Sequence, residues 1–171
     1  MVHCLCEIKK LSKFKKGVIT VSNRKLSASC VVIKDNKVLL VKHTYGAAKG
    51  KYLIPGEFSE EEEMPQETAE REVLEETKVS VKANELIAVR FTLQEVWCIF
   101  SADYLSGVPT SDGMENNEAI FMPIDEALRS GDVVDTTKQI LSAMLKSDKP
   151  MLVKSDFVNS KYNFRTWQIF I

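Results

Sequence analysis

The most informative segment of this sequence is a short acidic run, Arg71-Glu72-Val73-Leu74-Glu75-Glu76. Residues three and four apart are neighbours on a helix, so a helical conformation places Glu72, Glu75 and Glu76 on one side. A like-charge pair four residues apart costs about 0.2–0.5 kcal/mol, and carboxylates are also unfavourable near a helix C-terminus. The arrangement offers the fold no evident stability, which points to a bound ligand.

The residues around this stretch have the pattern of an amphipathic helix. Pro65 suits a first helical turn, and Ala69, Val73 and Thr77 recur at four-residue spacing. The pattern predicts a helix over residues 65–77, with Ala69 and Val73 turned towards the core.

A hard divalent cation would make the carboxylate cluster favourable. Mg²⁺ and Mn²⁺ prefer oxygen ligands, and Mg²⁺ usually binds through a few carboxylates together with substrate phosphates. Arg71 lies one turn before Glu75 and is expected to pair with it and hold that carboxylate in place. An arbitrary glutamate-rich helix is more often a solvated charged face. The surrounding residues must therefore distinguish a metal site from such a face.

The rest of the chain alternates between strand and helix patterns. Apolar segments at 27–34 and 37–42, joined by Asp35-Asn36, predict a hairpin. Further strands are predicted at 52–54, 79–81, 86–93, 95–104 and 119–122, and further helices at 124–130 and 136–146. The pattern predicts an α/β (α+β) fold with a mixed, largely antiparallel sheet covered by helices.

Length and charge limit the possible functions. The chain has 171 residues and a formal net charge of −1, which suits one domain and gives no sign of stable nucleic-acid or membrane binding. Neither common glycine-rich phosphate loop is present in the sequence. The beginning of the chain lacks a signal-peptide pattern, so a cytoplasmic location is expected.

The spacing of charged residues around the acidic stretch resembles the Nudix box of MutT-like proteins. That pattern is G-x5-E-x7-R-E-U-x-E-E-x-G-U, with U aliphatic. Seven of its nine fixed positions are matched at the right spacing, by Glu63, Arg71, Glu72, Val73, Glu75, Glu76 and Val79. Residues 50–56 and 117–126 are similar to segments that precede the box and close the domain, so the resemblance covers roughly residues 26–146.

The departures from the box fall at glycine positions. Glu57 and Lys78 replace its two fixed glycines, and Glu62 replaces a common one. We expect Lys78 to adopt a left-handed conformation at a cost on the order of 1 kcal/mol, partly offset by its charge at the helix C-terminus. Glu57 either distorts the loop beside the metal or adds another anionic group there.

The resemblance implies an α/β/α sandwich, with the box forming a loop–helix–loop that binds one to three Mg²⁺ or Mn²⁺ ions. Carried over by position, the metal ligands are the Gly56 carbonyl and the carboxylates of Glu72, Glu75 and Glu76. Glu63 would bind a further metal or act as an anchor, and Arg71 would orient the carboxylates. The general base would be Glu75, or Glu115 or Glu118 from the later loop.

The activity implied is hydrolysis of a pyrophosphate bond in a nucleoside diphosphate linked to another moiety. ADP-ribose, nucleotide sugars and NADH are the main candidate substrates, ahead of nucleoside triphosphates. His43, Tyr45 and Arg90 are candidate substrate-binding residues, whereas Phe91 and Trp97 lie in apolar strands and are expected in the core. The alternatives are a catalytically weak Nudix-like nucleotide-binding module and a structural domain with a solvated acidic helix.

The predicted organisation places the Nudix domain at residues 26–148. Residues 1–25 form a basic leader with room for a short strand. Residues 149–171 form an extension that packs on the domain or at a homodimer interface. The expected partner is a small nucleotide substrate.

Overall fold

The computed structural model describes residues 24–146 and residue 152. The first two strands are β1 (Lys25–Lys34) and β2 (Lys37–His43). The turn residues Asp35 and Asn36 have φ values of 49° and 58°, the left-handed conformation that matches the twist of a tight hairpin. The predicted hairpin is confirmed.

Five strands and three helices follow in the described residues. In chain order they are β3 (Tyr52–Leu53), β4 (Gly56–Phe58), α1 (Pro65–Thr77), β5 (Ser80–Phe91), β6 (Glu95–Ser106), β7 (Asn116–Pro123), α2 (Ile124–Arg129) and α3 (Asp135–Lys146). The helix predicted over residues 65–77 is confirmed. The segments 79–81 and 86–93 were expected as separate strands but form the single irregular strand β5, with register shifts between Ala83 and Ala88.

The strands of the described region form one mixed sheet in the order β3-β2-β1-β6-β5. The short strand β4 pairs with the first half of β1, and β7 pairs with β2. β1 and β6 run parallel, while the other five pairings are antiparallel. This topology confirms the predicted mixed, largely antiparallel sheet.

Helices cover both faces of the sheet. On one face α1 packs against a cluster that includes Ala28, Val73 and Phe100. On the other face α2 and α3 pack against a cluster that includes Ile99 and Leu141. The molecule is therefore the expected α/β/α sandwich, and among the described helices α1 is the one on its side of the sheet.

The predictions that Trp97 in β6 and Phe91 in β5 belong to the core have different outcomes. Trp97 is half-buried and packs on the α2–α3 side of the sheet, as expected. Phe91 was predicted to be in the core, but the structure leaves it 69% exposed. Phe91 is the last residue of β5, next to the turn into β6, and none of the described helices covers it.

The predicted leader at residues 1–25, apart from Arg24 and Lys25, and the predicted extension at 149–171, apart from Leu152, lie outside the described residues. Leu152 pairs with Leu86 at the outer edge of β5. Within the described part of the chain, no helix is long and apolar enough to cross a membrane.

Candidate active site

The ends of α1 position the acidic residues. Before the helix, the Glu67 carboxylate accepts the Met64 backbone N–H at 3.0 Å and fixes the first turn. After the helix, Lys78 has φ 60° and ψ 16°, and its N–H donates to the Leu74 carbonyl. The predicted left-handed conformation of Lys78 is confirmed. The Lys78 ammonium also donates to the Glu75 carbonyl at 3.0 Å, which compensates a carbonyl at the negative end of the helix.

Arg71, in the middle of α1, pairs with one carboxylate before the helix and two on it. Its guanidinium donates to both Glu63 oxygens, with Nε–Oε1 2.6 Å and Nη2–Oε2 3.0 Å. Nη1 donates to Glu72 Oε1 at 2.5 Å and to Glu75 Oε2 at 3.0 Å. The predicted Arg71–Glu75 pair is therefore present, together with two further pairs.

The Glu63 carboxylate accepts four hydrogen bonds. Besides the two bonds from Arg71, its Oε2 accepts the Glu60 N–H and the Thr68 hydroxyl. The hydrogen bond from Arg71 is the main reason that the pKa of Glu63 falls to about 2. With its acceptors engaged in this way, Glu63 is arranged as an anchor for Arg71.

Glu76 is a buried carboxylate that is only half satisfied. Its side chain is 2% exposed, and Oε1 accepts the Gly56 N–H at 2.9 Å. Among the residues that the structure describes, Oε2 has no hydrogen-bond partner. Burial raises the pKa of Glu76 to about 8, and the charges of Glu72, Glu115 and Asp112 add to the effect.

Glu72 lies one helical turn before Glu76 and is 5% exposed. Burial raises its pKa to about 7, even though the hydrogen bond and charge of Arg71 act in the opposite direction. Glu75 is different, because its side chain is 60% exposed. The three carboxylates that were expected to act together thus include two buried groups and one at the surface.

The donor set fits a divalent cation. In the described residues, no three acidic, histidine or cysteine side chains already converge as a ready ligand set, and Arg71 holds three of the box carboxylates. The buried Glu76 Oε2 nevertheless has no donor among these described residues, and it lies near a second buried carboxylate, Glu72. Buried carboxylate oxygens normally pair with a cation or a donor, and carboxylates are preferred ligands of Mg²⁺ and Mn²⁺.

Gly56 has to be glycine at this place. Its φ is 148°, and an added Cβ would lie 2.0 Å from Ser29 Oγ and 2.3 Å from the Ala28 carbonyl. The close approach of β4 to β1 therefore depends on the missing side chain. This close approach fixes the Gly56 backbone beside Glu76. The family resemblance implies a carbonyl ligand at this position.

The loop between β6 and β7 contacts the C-terminal end of α1. Asp112 Oδ1 accepts three successive backbone N–H groups, of Met114, Glu115 and Asn116, at 2.8–3.1 Å. The Asn116 amide donates to the Glu76 carbonyl at 2.9 Å. Sequence reasoning missed Asp112 and Asn116, although a Ser-Asp-Gly turn at 111–113 is a signal for such a compact loop.

The two candidate bases from this region lie in different places. Glu115 belongs to the group of charges that acts on Glu76. Glu118 accepts the Tyr52 hydroxyl at 2.6 Å, and Tyr52 packs in the cluster on the α2–α3 face. The structure thus brings Glu115 towards the box carboxylates and leaves Glu118 on the opposite face of the sheet.

His43 and Tyr45 form a stacked pair, with ring centroids 5.3 Å apart and planes at 21°. Burial lowers the pKa of His43, while the charges of Glu115, Glu57 and Asp112 act to raise it. The pair therefore faces the same acidic region as Glu76.

Arg90, the third expected substrate contact, lies with its guanidinium 4.5 Å from the centre of the Trp97 ring and pairs with Glu95 at 2.5 Å. The Trp97 indole N–H donates to Ser29 Oγ at 2.9 Å. Ser29 lies directly against Gly56, but Trp97 packs on the α2–α3 side of the sheet, so this group lies on the face opposite the α1 carboxylates.

The NUDIX-domain family model matches residues 23–143 of this chain, which include the whole carboxylate site. The chain belongs to the NUDIX family. NUDIX proteins generally use divalent cations, in agreement with the donor set described above.

Individual relatives support the same assignment. An ADP-ribose pyrophosphatase of Methanocaldococcus jannaschii is 39% identical over 59 residues, which are 34% of this chain and 35% of that protein. The match thus spans about a third of the curated relative. A NUDIX hydrolase from Nitrosomonas europaea is 28% identical with a TM-score of 0.59, covering 70% of this chain and 68% of its own. An ADP-ribose pyrophosphatase from Streptococcus suis, 18% identical with a TM-score of 0.58, covers 73% and 94% and shares the fold.

Proposed function

We propose that this NUDIX protein hydrolyses a pyrophosphate bond in a nucleoside diphosphate linked to another moiety, with Mg²⁺ or Mn²⁺ as the cofactor. The observation that carries the proposal is the buried Glu72–Glu76 pair: within the described part of the chain Glu76 Oε2 has no donor, while Oε1 accepts the Gly56 N–H. A fold alone has no use for two buried carboxylates, because each must either lose its charge or find a cation.

Glu72, Glu76 and the Gly56 carbonyl would hold the cation, and Glu75 would join them from the surface. A divalent cation there supplies charge neutralisation for the pyrophosphate and makes the attacking water more acidic. Arg71 keeps Glu72 and Glu75 oriented, while Glu63 anchors Arg71 from behind. This division gives three of the box acids to the cation and one, Glu63, to the scaffold.

Of the candidate general bases, Glu115 is the one that the geometry favours. Its backbone is tied to β2, since the Glu115 carbonyl accepts the Thr44 N–H and hydroxyl, both at 3.0 Å. Its exposed side chain is free to take a proton from water near Glu76, as a base must lie close to the proton that it removes. Glu118 instead accepts a hydrogen bond from Tyr52.

The nucleoside part of the substrate would be bound by the aromatic groups beside the carboxylates. The stacked His43 and Tyr45 offer such a surface on the carboxylate side, whereas the Arg90–Trp97 pair lies on the opposite, α2–α3 side of the sheet. Aromatic and guanidinium planes suit the flat, electron-rich base of a nucleotide. The curated relative of M. jannaschii is an ADP-ribose pyrophosphatase, so ADP-ribose is the first compound to test.

The test is a screen of ADP-ribose, nucleotide sugars, NADH, dinucleoside polyphosphates and nucleoside triphosphates with Mg²⁺ and with Mn²⁺. On the best substrate, we expect Glu76→Gln to lower kcat at least about 100-fold, the upper figure for residues that only support a metal ligand. Glu61→Gln is the matched control, since it removes the same charge from the exposed turn before α1. Equal activity of Glu76→Gln and wild type would refute the site.

A binding module without turnover is the alternative that the changed glycines suggested. The structure weakens that motive, because Lys78 adopts the left-handed conformation of the glycine it replaces. Glu57 lies in the regular strand β4. Tight nucleotide binding with no hydrolysis in either metal would nevertheless favour the binding module over the enzyme.

A further inference from the structure

Glu57 stands where the NUDIX pattern has its first glycine, and the sheet register shows where its side chain lies. Glu57 pairs with Ala28 across the antiparallel β4–β1 ladder. Residues directly opposite in such a ladder share a face of the sheet. Ala28 is buried in the cluster under α1, so the Glu57 side chain is on the α1 side, while its neighbours Gly56 and Phe58 face the other way.

Two contacts from α1 hold β4 on either side of Glu57. Glu76 Oε1 accepts the Gly56 N–H at 2.9 Å, and Arg71 Nη2 donates to the Phe58 carbonyl at 3.4 Å. Glu72 lies between residues 71 and 76 on the same helix. The Glu57 carboxylate therefore faces the stretch of α1 that carries the buried acids, and its charge contributes to raising the pKa of Glu72.

Glu57 has acceptor capacity to spare for a cation. Its Oε1 accepts the Phe58 N–H at 3.0 Å, and a carboxylate has about four lone-pair sites. An independent observation indicates that a ligand belongs here: Glu76 is 98% buried, its Oε2 has no partner among the described residues, and it lies among further acids. A glycine at position 57 would leave the β4 side of this cluster without a carboxylate.

We propose that Glu57 is a further metal ligand, which reaches from β4 to the divalent cation held by Glu72 and Glu76. This rests on the proposed function, because it assigns a new ligand to the same site. Glu57 makes the site more anionic than the usual box, so the protein should bind its cation more tightly and before any substrate arrives.

The experiment measures the Mn²⁺ dissociation constant of the full chain without substrate, from the electron paramagnetic resonance signal of free Mn²⁺. We expect Glu57→Gln to weaken binding about 10-fold or more. The variant keeps an oxygen acceptor for the Phe58 N–H, so β4 should be preserved. Thermal unfolding of the metal-free variant checks this. Glu61→Gln is the control for the loss of one negative charge nearby.

Salt separates a ligand from a charge that acts at a distance. At about 1 M ionic strength the Debye length falls to about 3 Å, so a through-space effect should largely disappear while a coordinating oxygen should still count. A Glu57→Gln defect that persists in 1 M NaCl supports the proposal. A defect that vanishes in 1 M NaCl, or no defect at all, overturns it.

Glu76→Gln distinguishes this failure from failure of the proposed function. If Glu76→Gln loses Mn²⁺ binding while Glu57→Gln binds like wild type, the Glu57 assignment fails and the metal site remains. If the wild-type protein itself binds no Mn²⁺ at millimolar concentration, the proposed function fails as well.

Discussion

The two ends of α1 carry the same kind of side chain in opposite situations. At the front, Glu63 accepts hydrogen bonds from Arg71, Thr68 and a backbone N–H, and its pKa falls to about 2. At the back, Glu76 accepts one backbone N–H in a buried place, and its pKa rises to about 8. Burial raises the pKa of Glu76, whereas the hydrogen bond from Arg71 is the main cause of the low pKa of Glu63. Glu63 at the front therefore contributes to stability, and Glu76 at the back is a group to which the proposed cation would bind.

The largest effect on stability should come from removing the main donor to Glu63. Arg71→Gln leaves Glu63, Glu72 and Glu75 without their shared cation. Breaking one partner of a buried pair costs about 3–5 kcal/mol, and the partial exposure of this group reduces the expected loss to about 2–3 kcal/mol. Urea unfolding of the metal-free protein measures it.

Arg129→Gln is the matched control for this change. Arg129 pairs with Asp125 at 2.7 Å on α2, but both side chains are exposed. We expect a far smaller loss of stability than for Arg71→Gln, because exposed pairs one turn apart contribute little. Similar losses for the two variants would show that the Arg71 network is an ordinary surface feature.

The front of α1 could be predicted from the sequence because its interactions are local. The bounds at 65–77 and the Arg71–Glu75 pair follow from helical periodicity alone. The short strand β4 could not be predicted, because it exists only through pairing with β1, about thirty residues earlier. The sequence therefore could not show that Glu57 faces α1.

The choice between Glu115 and Glu118 also depended on tertiary structure. Both residues lie within four positions of one another, and a strand sends alternate side chains to opposite faces. The irregular pairing of β2 with β7 near His43 decides which face each residue takes. Burial of Phe91 was predicted wrongly for a related reason, since an apolar residue near a strand end is covered only if another element reaches it.

The two ends of α1 should also give opposite pH dependence in the metal-free protein. Glu63 has a folded-state pKa below its ordinary value of 4.5, so its contribution is lost as pH falls from about 4.5 to 2. Glu72 and Glu76 have raised folded-state pKa values of about 7 and 8, so their protonated forms favour folding and stability is lost as pH rises from about 4.5 to 8.

We therefore expect the metal-free protein to be most stable near pH 5 and to lose on the order of 2 kcal/mol by pH 8. Urea unfolding in chelator across this range gives the curve. Glu76→Gln should make the slope shallower, because the amide does not titrate, and the remaining slope should come from Glu72. Glu61→Gln should leave the slope as in wild type. Stability that rises steadily from pH 5 to 8 would contradict the buried state of both acids.

The smallest effect should come from the backbone at the back of α1. Lys78 has φ 60°, which costs a residue with a Cβ about 1 kcal/mol relative to glycine. Lys78→Gly removes that strain but also the ammonium contact with the Glu75 carbonyl, which is worth about 0.3–0.5 kcal/mol. The net gain is about 0.5 kcal/mol, or roughly 2 °C in Tm.

Lys78→Ala loses the ammonium and keeps the strain, so it should be less stable than wild type. If alanine were as stable as glycine here, the backbone would carry no strain. An unchanged pH slope in Lys78→Gly would confirm that the unsatisfied character of this end resides in its carboxylates.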